Sequence, residues 1–415
     1  MIIEGLTQRT ARTGLPGKQQ PPARGGGDIC NEPDGAEAFH CTSSLRPTRG
    51  PRPGAGGALI VPTATQSALA AAVPVPPAGH RRERATVGCA ALVAAVLAGT
   101  GMSAPPAEAA AVQRSAAAVT APGTIFVANA GAGSGAGGTG LGSVSVYRPG
   151  ATGNARPELV ITAGVNGPGD LTFDPSGNLW VSNMGSGTVV EYSKAELSKG
   201  SPVPTVTLSP STGTAGIAFW PAGELWVGSN SGVVVEFTKA QLAKSGSPTP
   251  KVTISDPAQC SLALDRSGDL WVGNMSSSVS EWAKAQLAKS GSPAPRVTII
   301  STSLNWPCRP AFDSAGDLWA ANYNGDTVVE FAKSQLAKSG SPAPRVTVTP
   351  KPFLSNPADV SFDLTGDLWV TDPGNESVVE LSKAQLAKSG SPAPANAIAG
   401  PATGLNWPWS IAIEP

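Results

Sequence analysis

Three ionisable residues stand at one recurring position in the chain: Asp170 in "GDLTFD", Arg309 in "CRPAFD" and Asp359 in "ADVSFD". Each opens a short run that alternates apolar and small polar residues. The runs that follow close on an amide or a carboxylate, at Asn183, Asn322 and Asp372. Clustered Asp and Asn oxygens are the ligand set of a hard cation such as Ca²⁺. Asp359 and Asp372 are the first candidates for metal ligands, because two carboxylates in one repeat supply the charge that sets affinity in such sites. All six residues form the candidate ligand site. Plainer roles compete with metal binding. Arg309 and Asp359 lie in adjacent repeats and are placed to pair, and Asn suits a turn for backbone reasons. Asp170 is two repeats from Asp359, too far to share an ion with it unaided.

Other chemistries are excluded by composition. The only histidines, His40 and His80, both precede residue 109. The repeat region therefore has no imidazole to carry protons, no Ser-His-Asp triad and a poor ligand set for zinc. "NAGAGSGAGGTGLGS", residues 129–143, is glycine-rich but lacks the Lys-Ser/Thr ending of a phosphate loop. The net charge is +0 with 14% charged residues, and no basic run lies outside the N-terminal region, which argues against nucleic acid.

These residues must be positioned by a repeat. "DLTFDPSGNLWVSN" returns as "GIAFWPAGELWVGS", "SLALDRSGDLWVGN", "PAFDSAGDLWAAN" and "DVSFDLTGDLWVTD", with tryptophans at 180, 226, 271, 319 and 369. A period near 45–50 residues is that of propeller blades. Each unit predicts four strands, A to D, with a glycine taking the positive φ of the A–B turn. Five complete units are flanked by "GTIFVANA", "GSVSVYR" and "PELVITA", which supply B, C and D, and by a terminal "WSIAIEP", which supplies A. The fold class predicted is all-β: a six-bladed β-propeller of four-stranded antiparallel blades over 124–415. The C-terminal strand completes the first blade, and that closure removes exposed sheet edges.

Between C and D lies an insert of the type "KAQLAKSGSPAP", a short helix former stopped by Gly and Pro. Its single leucine (Leu197, Leu242, Leu287, Leu336, Leu386) is the expected anchor. Ten insert lysines, two per complete unit, are expected opposite the channel mouth, where they could grip an anionic polymer. The strand C glutamates (Glu191, Glu236, Glu281, Glu330, Glu380) each precede a lysine by three residues and are expected to form five alike surface bridges, each worth little.

The motif "NGPGDLTFDPSGNLWVSN" resembles the NHL-repeat and regucalcin/gluconolactonase group of six-bladed propellers and, more loosely, virginiamycin B lyase. That resemblance implies a divalent metal at the channel mouth bound by Glu, Asn and Asp. Asp170 and Asp359 match the family's aspartate before the inner strand, but no glutamate occupies the matching strand starts.

The N-terminal region reads differently. Residues 1–79 are rich in Pro, Gly and Arg and predict a disordered extension, consistent with translation from upstream of the native start. Residues 80–109 form an export signal: a basic segment at His80–Arg84, an apolar run Ala85–Ala98 too short to span a bilayer, and a small-x-small end at Ala107–Ala109. Residues 110–123 are a linker. Export leads to an expectation that Cys260 and Cys308, in adjacent repeats, form a disulfide. The predicted function is a secreted, non-catalytic propeller that binds a protein, carbohydrate or cell-wall polymer through one face, with no transmembrane segment in the mature chain. A metal-dependent lactonase-like hydrolase is the alternative.

Overall fold

The computed structural model describes residues 120–131, 141–255, 261–352 and 354–415. The extension, the export signal, most of the expected linker and Cys260 lie outside those residues. No described helix is long and apolar enough to cross a membrane.

Six four-stranded antiparallel sheets make up the domain, as the repeat predicts. Blade 1 runs A Pro168–Phe173, B Leu179–Asn183, C Thr188–Tyr192 and D Val206–Leu208. Strand A is Ile217–Phe219 in blade 2, Ser261–Leu264 in blade 3, Pro307–Phe312 in blade 4 and Asp359–Phe362 in blade 5. Blade 6 is the split one. Its strand A, Pro408–Ile413, pairs antiparallel with Ile125–Asn129, in register Ile125↔Ile413 and Val127↔Ile411. The two ends of the domain are thus joined by backbone hydrogen bonds.

The core lies between blades. The B-strand tryptophan of one blade meets the last apolar residue of the next strand A. Trp180 packs edge-on against Phe219, Trp271 against Phe312 and Trp319 against Phe362, at ring separations of 5.5, 5.7 and 6.2 Å. In the split blade Phe126 takes the tryptophan's place against Phe173. Each seam buries one apolar cluster, which is why period-two alternation with both faces apolar recurs in strand B.

The inserts stitch the seams from outside. All five leucine anchors are buried. Ser245, Ser290, Ser339 and Ser389 each accept a hydrogen bond from a strand D amide of the preceding blade, at 3.0 Å. The first lysine of each insert lays its stem across the A–B turn glycine, as Lys284 does over Gly268 and Lys333 over Gly316. A side chain at those glycines, whose φ is +80° and +85°, would be strained and would crowd that lysine.

Candidate functional site at the channel mouth

Strand A lines the channel, so residues at its start converge on the axis. Asp170, Asp359 and Ser410 reach forward to the next blade. The Asp170 Oδ2 accepts from the Ile217 amide at 2.8 Å, Asp359 Oδ2 from the Ile411 amide at 2.9 Å, and Ser410 Oγ from the Leu171 amide at 3.1 Å. Blade 4 breaks this pattern. Arg309 is the unpaired residue of a β-bulge between Cys308 and Pro310, with φ +47°. A bulge re-aims a side chain, and this one delivers the guanidinium into the channel.

Arg309 is buried, and one nitrogen, Nη1, serves three partners. It donates to Asp170 Oδ1, to Ser410 Oγ at 2.8 Å and to Asp359 Oδ2 at 3.3 Å. Its Nη2 donates to the Gly169 carbonyl. The expected Arg309–Asp359 pair forms, but Asp170 joins it. The two aspartates, expected to be too far apart to share a cation, share this one, because the guanidinium reaches across the axis. Burial is the main influence on Asp359 and pushes its carboxyl up to about 7; Arg309 opposes that shift and Asp170 adds to it. Burial raises Asp170 as well, against Arg309 and the amides of Ile217 and Leu171. One guanidinium between two buried carboxylates favours retention of a proton on the pair.

The strand B closers do a different job. Asn183, Asn322 and Asp372 each accept from a loop amide seventeen residues upstream: Asn166, Asn305 and Ser355, at 2.9, 2.5 and 2.7 Å. Asn129 does the same for Asn406 at 3.1 Å. They tie the D–A loops to the blade, the backbone role the turn argument anticipated. Asp372 spends its other oxygen on Asn375 at 2.7 Å and Ser377 at 3.4 Å. Among the described hydrogen bonds its carboxylate shares no partner with that of Asp359, so these contacts do not join the two residues expected as metal ligands. Burial pushes Asp372 up to about 6. A divalent ion does not fit among Asp170, Arg309 and Asp359, since the guanidinium already stands between the carboxylates.

Above this plug the sequence hid a strained aromatic rim. In the Asn-x-Pro loops the middle residue adopts the left-handed conformation: Gly167 at +56° in blade 1, but Trp306 at +59° and Trp407 at +54° in blades 4 and 6. Trp306 packs at a tilt against Tyr323, with ring centroids 4.9 Å apart, and Tyr323 packs edge-on against Trp409 at 5.6 Å. The indole N–H groups of Trp306 and Trp407 are buried with no acceptor among the described residues. The signal was legible as "LNWPCRP" and "LNWPWS", where tryptophan stands in the place of Gly167.

At the opposite end the strand C glutamates depart from expectation. None of the five pairs with the lysine three residues on among the described ion pairs; Lys194, for instance, bridges Glu414 at 2.9 Å. The glutamates face inward, and Glu281 and Glu330 are fully buried. In blades 2, 3 and 4 their partner is the residue just before strand D. Lys251 meets Glu236 at 2.8 Å, Arg296 joins Glu281 and Asp269, and Arg345 joins Glu330 and Asp317. Cysteine pairing stays an expectation: Cys308 is fully buried, and Cys260 lies outside the described residues.

The sequence matches no protein-family profile and no curated protein. Among solved structures it is similar to a streptogramin B lyase at 12% identity and TM-score 0.40, covering 60% of this chain and 75% of that one. It is also similar to virginiamycin B lyase from Staphylococcus aureus, at 13% identity, TM-score 0.38, and 60% and 76% coverage. A protein of unknown function from Bacteroides caccae matches at 12% identity and TM-score 0.47, over 70% of this chain and 98% of that one. Likeness of this order carries no conclusion about activity; the propeller assignment rests on the six sheets themselves.

Proposed function

We propose that this chain is an exported, non-catalytic propeller that grips a carbohydrate or cell-wall polymer at its channel mouth through Trp306 and Trp407. The observation that carries this reading is the left-handed backbone at both tryptophans. A bulky residue with positive φ is an outlier, and such strain concentrates at binding and active sites. Glycine fills the equivalent position in blade 1 without that cost. Tryptophan brings a flat apolar face, which suits packing against a sugar ring. The lactonase-like alternative would need the mouth carboxylates for a metal, and Arg309 already engages Asp170 and Asp359.

The test is co-sedimentation of the purified domain with insoluble cell-wall polymer, comparing the parent with Trp306→Gly and Trp407→Gly. Glycine relieves the backbone strain, so the variants are expected to remain folded while losing binding by tenfold or more. Unchanged co-sedimentation would overturn the reading. Calorimetric titration with Ca²⁺ addresses the alternative: stoichiometric binding heat in the parent would favour the hydrolase.

A further inference from the structure

The cation just before strand D is missing from blade 1. Five backbone hydrogen bonds define its position: Lys251, Arg296, Arg345, Ala395 and Thr205 each donate an amide to the strand C glutamate carbonyl, at 2.7–2.9 Å. In blades 2, 3 and 4 the side chain there is a lysine or arginine that neutralises the glutamate. In blade 5 alanine replaces it, and Glu380 is only half-buried. Blade 1 combines a lost cation with a buried acid. Thr205 uses its hydroxyl to accept from the Ser193 amide at 3.2 Å, away from the glutamate.

Glu191 is 8% exposed, and its carboxylate takes no hydrogen bond or ion pair among the described residues. It lines a cavity of about 390 Å³ between blades 1 and 2, together with Asp174, Asn178, Trp180, Thr205 and Lys239. Asp174 is committed to its own turn and to the Trp180 indole N–H at 3.2 Å. Lys239 lies across Gly223 at the rim, as Lys333 and Lys383 do beside the cavities that hold Arg296 and Arg345. It is therefore part of the repeating frame and not the substitute for the missing arginine. An unpaired buried carboxylate is costly and either changes its protonation or acquires a partner. Burial first, and then Asp174, pushes Glu191 up to about 7.

We infer that this cavity is a binding site for an alkylguanidinium group, supplied from outside in the place that Arg296 and Arg345 fill from within their own blades. The sibling blades show the bound form. Their guanidinium bridges the strand C glutamate and the turn carboxylate at Asp269 or Asp317. In blade 1 Asn178 stands in for that aspartate, so the site carries one acid fewer and binds through Glu191, with the Asn178 side chain beside it. Planar guanidinium matches a carboxylate in two-point geometry, which an ammonium cannot. The group could come from a free small molecule or from an arginine of a partner protein; the chemistry is the same.

The experiment titrates N-acetyl-arginine amide into the mature domain and follows binding by calorimetry, with the lysine and citrulline analogues as comparators. Saturable binding is expected for the arginine probe, at least tenfold weaker for lysine and absent for citrulline. Glu191→Gln should abolish binding. Thr205→Arg should abolish it too, because the introduced guanidinium occupies the site, and that variant should melt no lower than the parent. A parent that fails to bind the probe, or a folded Thr205→Arg that binds it as well as the parent does, would overturn the inference. Agmatine distinguishes the sources: binding as tight as the capped amino acid points to a free ligand, whereas a requirement for the flanking amides points to a peptide. The site is independent of the mouth, so Trp306→Gly should leave this titration unchanged.

Discussion

Replacing Arg309 with methionine would leave Asp170 and Asp359 buried in the channel with no counter-charge. Removing one member of a buried ion pair typically costs about 3–5 kcal/mol. The structure gives an independent bound. The variant can escape charge burial only by holding one further carboxylate protonated. Against an ordinary aspartate value of 3.8, that costs at most about 5 kcal/mol at pH 7.5 and about 2 kcal/mol at pH 5.5, at 1.36 kcal/mol per unit. The amides of Ile217 and Ile411 still donate to the two carboxylates and reduce both figures. The sign follows from linkage. A carboxyl whose folded value is raised binds more protons in the folded state, so its contribution to stability is present at low pH and is lost as pH rises through that value. Asp359, raised to about 7, gives the parent this slope already. Arg309 holds both carboxyls down, so removing it raises Asp170 and Asp359 further, and the difference between variant and parent must grow with pH. Urea unfolding followed by tryptophan fluorescence at pH 5.5 and 7.5 measures it. A loss below about 1 kcal/mol at pH 7.5, or an equal loss at both pH values, would refute the account of the plug.

Deleting residues 408–415 removes strand A of blade 6 and opens the edge of strand B at Ile125–Asn129. Loss of Ile411 and its buried neighbours alone should cost several kcal/mol, about 1.5–3 for each large apolar side chain, and a truncated domain that melts like the parent would disprove closure. The Trp271 indole donates to Asp265 at 3.4 Å, whereas Trp226 faces Trp220 and its N–H has no acceptor among the described residues. Trp271→Phe should therefore destabilise more than Trp226→Phe, by about 1 kcal/mol, in parallel thermal melts. A domain starting at residue 110, denatured and unreduced, should show no titratable thiol if Cys260 and Cys308 are bridged, and two if they are not.

Much of the architecture was legible because a repeat states its own rules. Trp180, Trp226, Trp271, Trp319 and Trp369 set the blade period, the five insert leucines announced their burial, and "WSIAIEP" supplied the missing strand. These are local, period-two and turn-encoded features that each copy repeats. The site was less legible because its contacts join residues far apart in the chain. Asp170 and Arg309 lie 139 positions apart, and the choice of partner depends on a bulge that no residue type declares. The strand C glutamates show the same limit. Spacing alone paired Glu281 with Lys284, but strand alternation turns the acid inward, where Arg296, just before the next strand, meets it. Sequence by itself determined the ring, its closure and the absence of histidine from it, since periodicity and composition need no third dimension. Only the tertiary structure decided that two aspartates share one arginine and that Glu191 has none, because circular closure brings distant residues onto one axis, and burial makes an unpaired charge costly.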